Sequence, residues 1–414
     1  MGSAYYSRAI EPRLRESLGD SPITLIHGPR QCGKTTLARA MGDSLGYEYF
    51  SFDDEVLLAA AHADPFGFVF GLPEKTILDE VQRVPEIFVA LKSAVDRDRA
   101  PGRFLLTGSA NVLLVPRLAD SLAGRMEILR LHPLSQSELA GHRSLFLDRL
   151  FAGDFAQKSC DRLGLDLVDR VLAGGYPAAL ARSHQRRRAV WYRDYIQTLV
   201  QRDLRDLARI QHIDILPRLL TVVASHTASL LNVSDLAGPF QLSRTTIRDY
   251  IDLLRSVFLV NPLPPWYTNQ LSRIVKASKI HIGDTGLASA LLGHTASSLA
   301  ADRSALGSLL ETFVLQELRR QASGHEDDHR FFHYRDRDQR EVDIVIERGA
   351  REVAGIEVKA GATVKSGDFR GLRKLRDAAG DRWTSGLVLY DGEATASFGD
   401  AMFAVPIGAL WESS

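Results

Sequence analysis

Apolar positions change their spacing twice along the chain. Over the first 140 residues, short apolar runs alternate with helically spaced stretches. Ile23–His27 is an apolar run that ends in a glycine-rich turn, and the spacing after it predicts a helix from Lys34 to about Leu45. Tyr47–Phe52 alternates as a strand does. Lys75–Asp79 is a second apolar run, ending in acid. Phe88–Val95 is helically spaced, and Arg103–Thr107 and Met126–Leu131 complete the strands. Strands alternating with helices predict a parallel sheet covered by helices, with ligands beyond the carboxyl ends of the strands. From about Ser135 to Val260 the period becomes helical, interrupted at Pro133, Gly174–Pro177 and Pro217. Prolines between Pro262 and Pro265 break that pattern, and mixed strand and helix follow to the end. The expected division is 1–140, 141–210, 211–275 and 276–414.

Composition narrows the classes. A chain of 414 residues suggests two to four domains. With 45% apolar and 25% charged residues it is neither disordered nor collagen-like. It has no apolar run of about 18 residues, so no membrane span is expected. Met1–Ile10 lacks the apolar core of a signal peptide, which makes the cytoplasm the expected compartment. Two cysteines, Cys32 and Cys160, make neither a disulfide framework nor a four-ligand zinc site alone. The 51 basic and 51 acidic residues cancel, but 42 of the basic ones are Arg. Segment 181–210 holds eight Arg against three Asp. A solvated helix face is the common cause of such a bias, and a phosphate backbone is the alternative.

The candidate chemistry begins at Gly28, Pro29, Arg30, Gln31, Cys32, Gly33, Lys34 and Thr35, which fit G-x-x-x-x-G-K-[ST] at every fixed position. The motif sits after an apolar strand and before a helix, where phosphate binding needs it. Gly28 and Gly33 let the backbone N–H groups face phosphates, and the helix N-terminus adds positive charge. Lys34 is expected on the β- and γ-phosphates of ATP, and the Thr35 hydroxyl on Mg²⁺. The competing explanation is a chance match in a glycine-rich turn. Downstream, Ile77–Glu80 is a strand ending in two carboxylates: Asp79 suits the magnesium shell and Glu80 suits polarising the attacking water. Ser109, with Asn111 as second choice, closes a third strand and is the candidate for contacting that water or the γ-phosphate. A plain turn is the other explanation for it.

These segments, Gly28–Thr36, Leu78–Gln82, Leu105–Ala110, and Leu122–Arg125 leading to Leu131–Ser135, resemble the AAA-type ATPases. In particular they resemble a bacterial and archaeal group of ATP-binding proteins with a C-terminal region of unassigned function. The resemblance implies a parallel-sheet ATPase domain and possible homo-oligomers. It also implies an arginine before the last strand that completes a neighbour's ATP site. Arg125 matches by position and Arg117 is the second choice, against the reading of a surface arginine. The segment Trp191–Asp203 looks like a signature of the same group, without a chemical role.

In the middle, Asn232–Gly238, a turn at Phe240–Ser243 and a helix from Arg244 to Phe258 outline a helix-turn-helix, with Ser243 as N-cap and 260–274 as the source of a wing. Its second helix would offer Arg244, Thr245, Thr246 and Arg248 to DNA, or the fold would serve protein packing alone.

Near the C-terminus, Gly307–Glu311 at a helix start, Asp343 in an apolar strand, and Glu357 and Lys359 two apart in another resemble the restriction-endonuclease-like nuclease core. Asp343 and Glu357 are 14 positions apart, and a hairpin turning at Arg348–Gly349 would join them. The resemblance implies that Asp343 and Glu357 hold Mg²⁺ or Mn²⁺, that Glu311 supports the site and that Lys359 stabilises developing charge. Glu317 competes with Glu311. His333 is expected to be packing. The alternative is a nuclease-like fold that has lost cleavage. The fold class expected overall is multidomain α/β: a P-loop AAA-type parallel sheet, a helical and winged-helix middle, and a mixed α/β nuclease-like domain. The function expected is an ATPase coupled to DNA or RNA binding and cleavage. The rivals are a regulatory switch and an ATP-binding clamp.

Overall fold

The computed structural model describes residues 5–109, 122, 124–201, 204, 214–268, 277–336 and 338–413. Asn111 and Arg117 lie outside these residues, as do the last two positions of the Trp191–Asp203 segment and the end of the expected wing. The chain divides into two compact units. One comprises 1–134 with 256–258 and 323–326; the other comprises 135–255, 259–322 and 327–414.

The first unit is built on five parallel strands: β1 (Ile23–His27), β2 (Glu48–Ser51), β3 (Thr76–Asp79), β4 (Phe104–Gly108) and β5 (Met126–Arg130), in the order β2-β3-β4-β1-β5. Ile23 pairs with Phe104 on one side and Met126 on the other. β1, β3 and β4 are buried at every position, which is why they read as unbroken apolar runs. Ile23, Leu25, Phe104 and Leu106 pack with Phe88 and Leu91 of the helix Ile87–Arg97. On the opposite face, Ile26, Ile77 and Leu105 pack with Leu37 and Met41 of the helix Lys34–Leu45. Burying each large side chain there contributes roughly 1.5–3 kcal/mol. The strand order reverses at β1, so its carboxyl end opens onto a crevice.

The second unit begins with helices, among them Leu165–Ala173 and Gln185–Gln201, and the short strand β6 (Lys158–Ser159). Strands β7 (Ser229–Leu230), β8 (Val260–Leu263) and β9 (Lys279–Ile282) form a three-stranded antiparallel sheet in the order β7-β9-β8. Between β7 and β8 lie the helices Val233–Phe240 and Arg244–Ser256. Ser243 caps the second of these through Thr246 N–H at 3.1 Å, as expected. Two expectations shift here. The helix stops at Ser256, because Phe258 adopts a left-handed φ of 64° that a right-handed helix cannot continue. Among the described residues the strand that pairs with β8 is β9, which follows the segment 260–274 expected to supply the wing.

The remaining strands are β10 (His329–Arg335), β11 (Glu341–Arg348), β12 (Glu352–Lys359), β13 (Trp383–Tyr390), β14 (Ala394–Ser397) and β15 (Met402–Pro406). With β6 they form a mixed seven-stranded sheet in the order β10-β11-β12-β13-β15-β14-β6. β11 and β12 form the expected hairpin, and β12, β13 and β15 run parallel. The helix Arg370–Ala379 covers one face through Leu372 and Leu375. Glu311 lies within the helix Arg303–Ser323, two turns in and not at its start, because the helix begins before Gly307.

Candidate functional site

The carboxyl end of β1 delivers the chain into the phosphate loop. Gly28 N–H bonds Gly108 O at 3.3 Å. A Cβ on Gly28 would strike the carbonyl oxygen of Leu131, so only glycine fits there. Gly33 takes φ 103° to start the helix Lys34–Leu45 and leaves its first N–H groups facing the crevice. Lys34 is buried, with its ammonium 3.0 Å from Pro29 O across the loop. Arg8, also buried, donates to Cys32 O at 2.9 Å and to His132 O at 2.6 Å, bracing the loop from beneath. Cys32 points away from the crevice. Its thiol is fully buried 3.6 Å from Leu131 O, and burial raises its pKa. His27 packs edge-on against Phe258 at 5.6 Å; burial first, then Arg130 and Lys34, lowers its pKa to about 4.

Both acids lie at the end of β3. Asp79 accepts from Thr35 Oγ1 at 3.0 Å to each carboxylate oxygen, from Tyr49 O–H at 2.7 Å, and from Thr107 O–H. Thr35 and Asp79 thus present the hard oxygens that suit Mg²⁺. Glu80 turns out of the strand at φ 60°. Its Oε2 meets Gln82 Nε2 and lies 3.2 Å from Ser109 Oγ, and Gln82 Nε2 donates to Ser109 Oγ at 2.9 Å. Ser109 therefore touches the Glu80 carboxylate. Arg125 is bonded through Nε to Asp96 at 2.6 Å within its own chain, and that bond holds the Asp96 carboxyl below its usual range. Residue pattern alone singled out neither Tyr49, Thr107, Gln82 nor Arg8. Gln82 ends the Leu78–Gln82 segment, but its contact depends on the left-handed turn at Glu80.

The second constellation gathers at the β11–β12 hairpin. Ile344 pairs with Ile356, so the next step outward sets Asp343 opposite Glu357. Val358 N–H donates to Asp343 Oδ2 at 2.9 Å, and the two carboxyl groups lie close enough for each to shift the other's pKa. The charge on Asp343 reaches Glu311 as well. Burial, and then the charge on Asp343, push the pKa values of Glu311 and Glu357 well above the carboxylate range. Burial would raise Asp343 too, but the ammonium of Lys279, the Val358 N–H and the Glu357 carboxyl outweigh it and hold Asp343 low. Lys279 is the residue that the pattern missed: its Nζ lies 3.0 Å from Glu311 Oε1 and 3.3 Å from Asp343 Oδ1. Lys359 is half-buried at the end of β12 and acts on both hairpin acids through its charge. His333 is buried, with Nε2 3.2 Å from Ala277 O and its pKa lowered to about 4 chiefly by burial.

Glu317 belongs elsewhere. It is fully buried and bonded by Arg320 Nη1 at 2.7 Å and by Gln136 N–H at 2.8 Å. Arg320 reaches Asp284 at 3.2 Å, and Asp284 also accepts from Tyr192 O–H at 2.9 Å and Gly175 N–H at 2.8 Å. This network accounts for the Trp191–Asp203 signature in part: Tyr192 is a buried donor to Asp284, while Trp191 stacks on Tyr195 at 5.1 Å. On the helix-turn-helix, Arg244, Thr245 and Arg248 are exposed, while Thr246 is half-buried with its hydroxyl 2.8 Å from Ser243 Oγ.

Three family models match the chain. An AAA domain matches residues 20–140, and two domains of unknown function, DUF8612 and DUF4143, match 164–298 and 306–410. The AAA match and the parallel sheet identify the first unit as a P-loop ATPase domain. Uncharacterized proteins of Mycobacterium tuberculosis (Rv2008c) and Mycobacterium bovis (Mb2031c) are each 33% identical over 396 residues, covering 95% of this chain and 82% of theirs. Among solved structures, the Walker-type ATPase PABY2304 of Pyrococcus abyssi aligns with a TM-score of 0.42 and 15% identity, over 70% of this chain and 99% of that one. RuvB of Thermotoga maritima aligns at 0.26 and 17%, over 62% and 89%. No helix among the described residues is long and apolar enough to cross a membrane.

Proposed function

Since the chain belongs to one family with these mycobacterial proteins, and its own residues 20–140 form an AAA-type P-loop ATPase domain, we propose that it hydrolyses ATP to ADP and phosphate and couples turnover to a nucleic-acid-binding second unit. Gly28 to Thr36 cradle the phosphates with backbone N–H groups, and Lys34 offsets their charge. Thr35 and Asp79 would hold Mg²⁺, which supplies charge neutralisation at the β- and γ-phosphates. Glu80 orients the attacking water and draws its proton, with Gln82 and Ser109 fixing the carboxylate. Arg125 serves a neighbouring protomer only in an oligomer where it exchanges Asp96 for phosphate.

For the second unit, the observation that carries the reading is the opposition of Asp343 and Glu357 across one hairpin, with Glu311 beside them and Lys359 two residues on. Carboxylates set opposite each other across a hairpin are the donor type that a shared Mg²⁺ or Mn²⁺ would use in phosphodiester cleavage. Arg244, Thr245, Thr246 and Arg248 would meet DNA phosphates and base edges. Lys279 within the acid cluster favours a second reading, a regulatory switch whose nuclease-like domain does not cut. The domain borders expected from sequence and a cytoplasmic setting belong to the same proposal. Glu80→Gln and Lys359→Ala, assayed with ATP, Mg²⁺ or Mn²⁺ and a panel of DNA and RNA forms, separate the cases. A nuclease loses cleavage with Lys359→Ala, a switch needs Glu80 and not Lys359, and a clamp needs neither.

A further inference from the structure

The acid cluster already contains a cation. Lys279 comes from β9, in the three-stranded sheet, and not from the seven-stranded sheet that bears Asp343 and Glu357. Its side chain is only 5% exposed. Its Nζ lies between Glu311 Oε1 and Asp343 Oδ1, at 3.0 and 3.3 Å. Backbone pairing holds its strand from both sides, to Leu230 of β7 and to Leu263 of β8. As the structure stands, no group of three or more Asp, Glu, His or Cys side chains among the described residues is placed to hold a metal ion; the same carboxylates, with Glu357, are the hard-oxygen donors that a divalent ion would use once the ammonium left. A metal about 2.0–2.6 Å from these oxygens would occupy the space of an ammonium about 3 Å from them. Two cations at that separation in a largely buried site also repel strongly, because little water screens them.

We infer that Lys279 is the resident counter-ion of the Glu311–Asp343–Glu357 cluster, so that a divalent metal enters only when the Lys279 ammonium is displaced. The inference rests on the proposed reading of these acids as metal ligands. It makes β9 the control element of the second site: a shift of the sheet that flanks the helix-turn-helix withdraws the cation, while the hairpin acids stay in place. It also reconciles the two readings above, because a resting site closed by lysine neither binds metal nor cuts.

The test is Mn²⁺ binding to the full chain without nucleotide, followed by electron paramagnetic resonance. The variants are Lys279→Met, Lys279→Arg and Lys279→Met with Asp343→Asn; Lys279→Gln, which keeps a donor toward the acids, replaces Lys279→Met if that variant does not fold. Subtracting the Asp343→Asn signal removes Mn²⁺ held at the phosphate loop. The expected result is that Lys279→Met or Lys279→Gln binds one Asp343-dependent Mn²⁺ at least about tenfold more tightly than the wild-type chain or Lys279→Arg. Equal Asp343-dependent binding by wild type and the neutral variants overturns the inference and leaves the metal site standing. If no variant shows Asp343-dependent binding, the metal reading and the inference fall together.

Discussion

Replacing Arg320 with Met is a sharp test of what holds the second unit together. Arg320 is 3% exposed and bonds two carboxylates, Glu317 at 2.7 Å and Asp284 at 3.2 Å. Met fills the space of the aliphatic stem, so the loss is electrostatic and not a cavity. The two acids do not suffer equally. Asp284 keeps Tyr192 O–H and the N–H groups of Gly175, Gly286 and Leu287. Among the described residues Glu317 keeps Gln136 N–H alone. Breaking a buried ion pair from one side costs about 3–5 kcal/mol, and protonation of the stranded acid moves the result toward the lower figure. For a unit of this size that lowers the melting temperature by roughly 6–15 °C. Burial already raises the Glu317 pKa above 4.5, and loss of Arg320 raises it further. The folded state then holds a proton that the unfolded state releases, so the deficit grows as pH rises above 4.5. Calorimetry of Arg320→Met at pH 5 and pH 8, with Arg320→Met plus Glu317→Gln as partner, measures each part. The double variant is expected to recover more than about 1 kcal/mol of the loss. A deficit below about 1 kcal/mol, or no recovery with Glu317→Gln, would refute the ionic account.

Lys34→Ala should abolish nucleotide binding in a titration, whereas Glu80→Gln should keep binding and slow phosphate release by about 10²–10⁴; normal turnover in Glu80→Gln would remove Glu80 from its role. Cys32 should react slowly with thiol reagents in the folded chain, since its thiol is buried and its pKa raised, and any bulky adduct should block ATP by breaking the loop. Mass spectrometry alongside nucleotide titration checks both, and full affinity after confirmed modification would contradict the second. His27, with a pKa near 4 in the fold against 6.5 unfolded, is neutral when buried, so the unfolded chain takes up its proton first. The first unit should therefore lose stability as pH falls from about 6.5 to about 4, and His27→Gln should flatten that slope in denaturant titrations.

The parts legible from sequence are those whose signal is local. The strand Ile23–His27, the glycines after it and the helix from Lys34 follow one another without a gap. Asp343 and Glu357 were also legible, because period two and a short turn fix which positions face each other. What escaped depends on partners far apart in the chain. No spacing relates Lys279 to Asp343, or Arg320 to Asp284, since those contacts are made only after separate elements pack. Sequence alone leaves Glu311 and Glu317 as rivals because both fall on buried faces of one long helix. Only the neighbours of those faces, Lys279 for the first and Arg320 for the second, tell them apart.

The strand β6 has a consequence for how the protein is made. Lys158 and Ser159 pair with β14 near the far end of the chain, at Thr395 and Ala394. A little before them Leu150 O receives the Ser385 hydroxyl, 235 positions later. Gln136 and Gly175 likewise wait for Glu317 and Asp284. A ribosome adding about 5–20 residues per second leaves these helices without their partners for roughly 10–50 s. During that interval the apolar faces of the second unit are uncovered while the phosphate-loop sheet already has all five strands. The five-stranded sheet can thus form early on the ribosome, whereas the second unit closes only once β13 and β14 have emerged, so a chain cut short before β13 would carry the phosphate loop without a closed second unit.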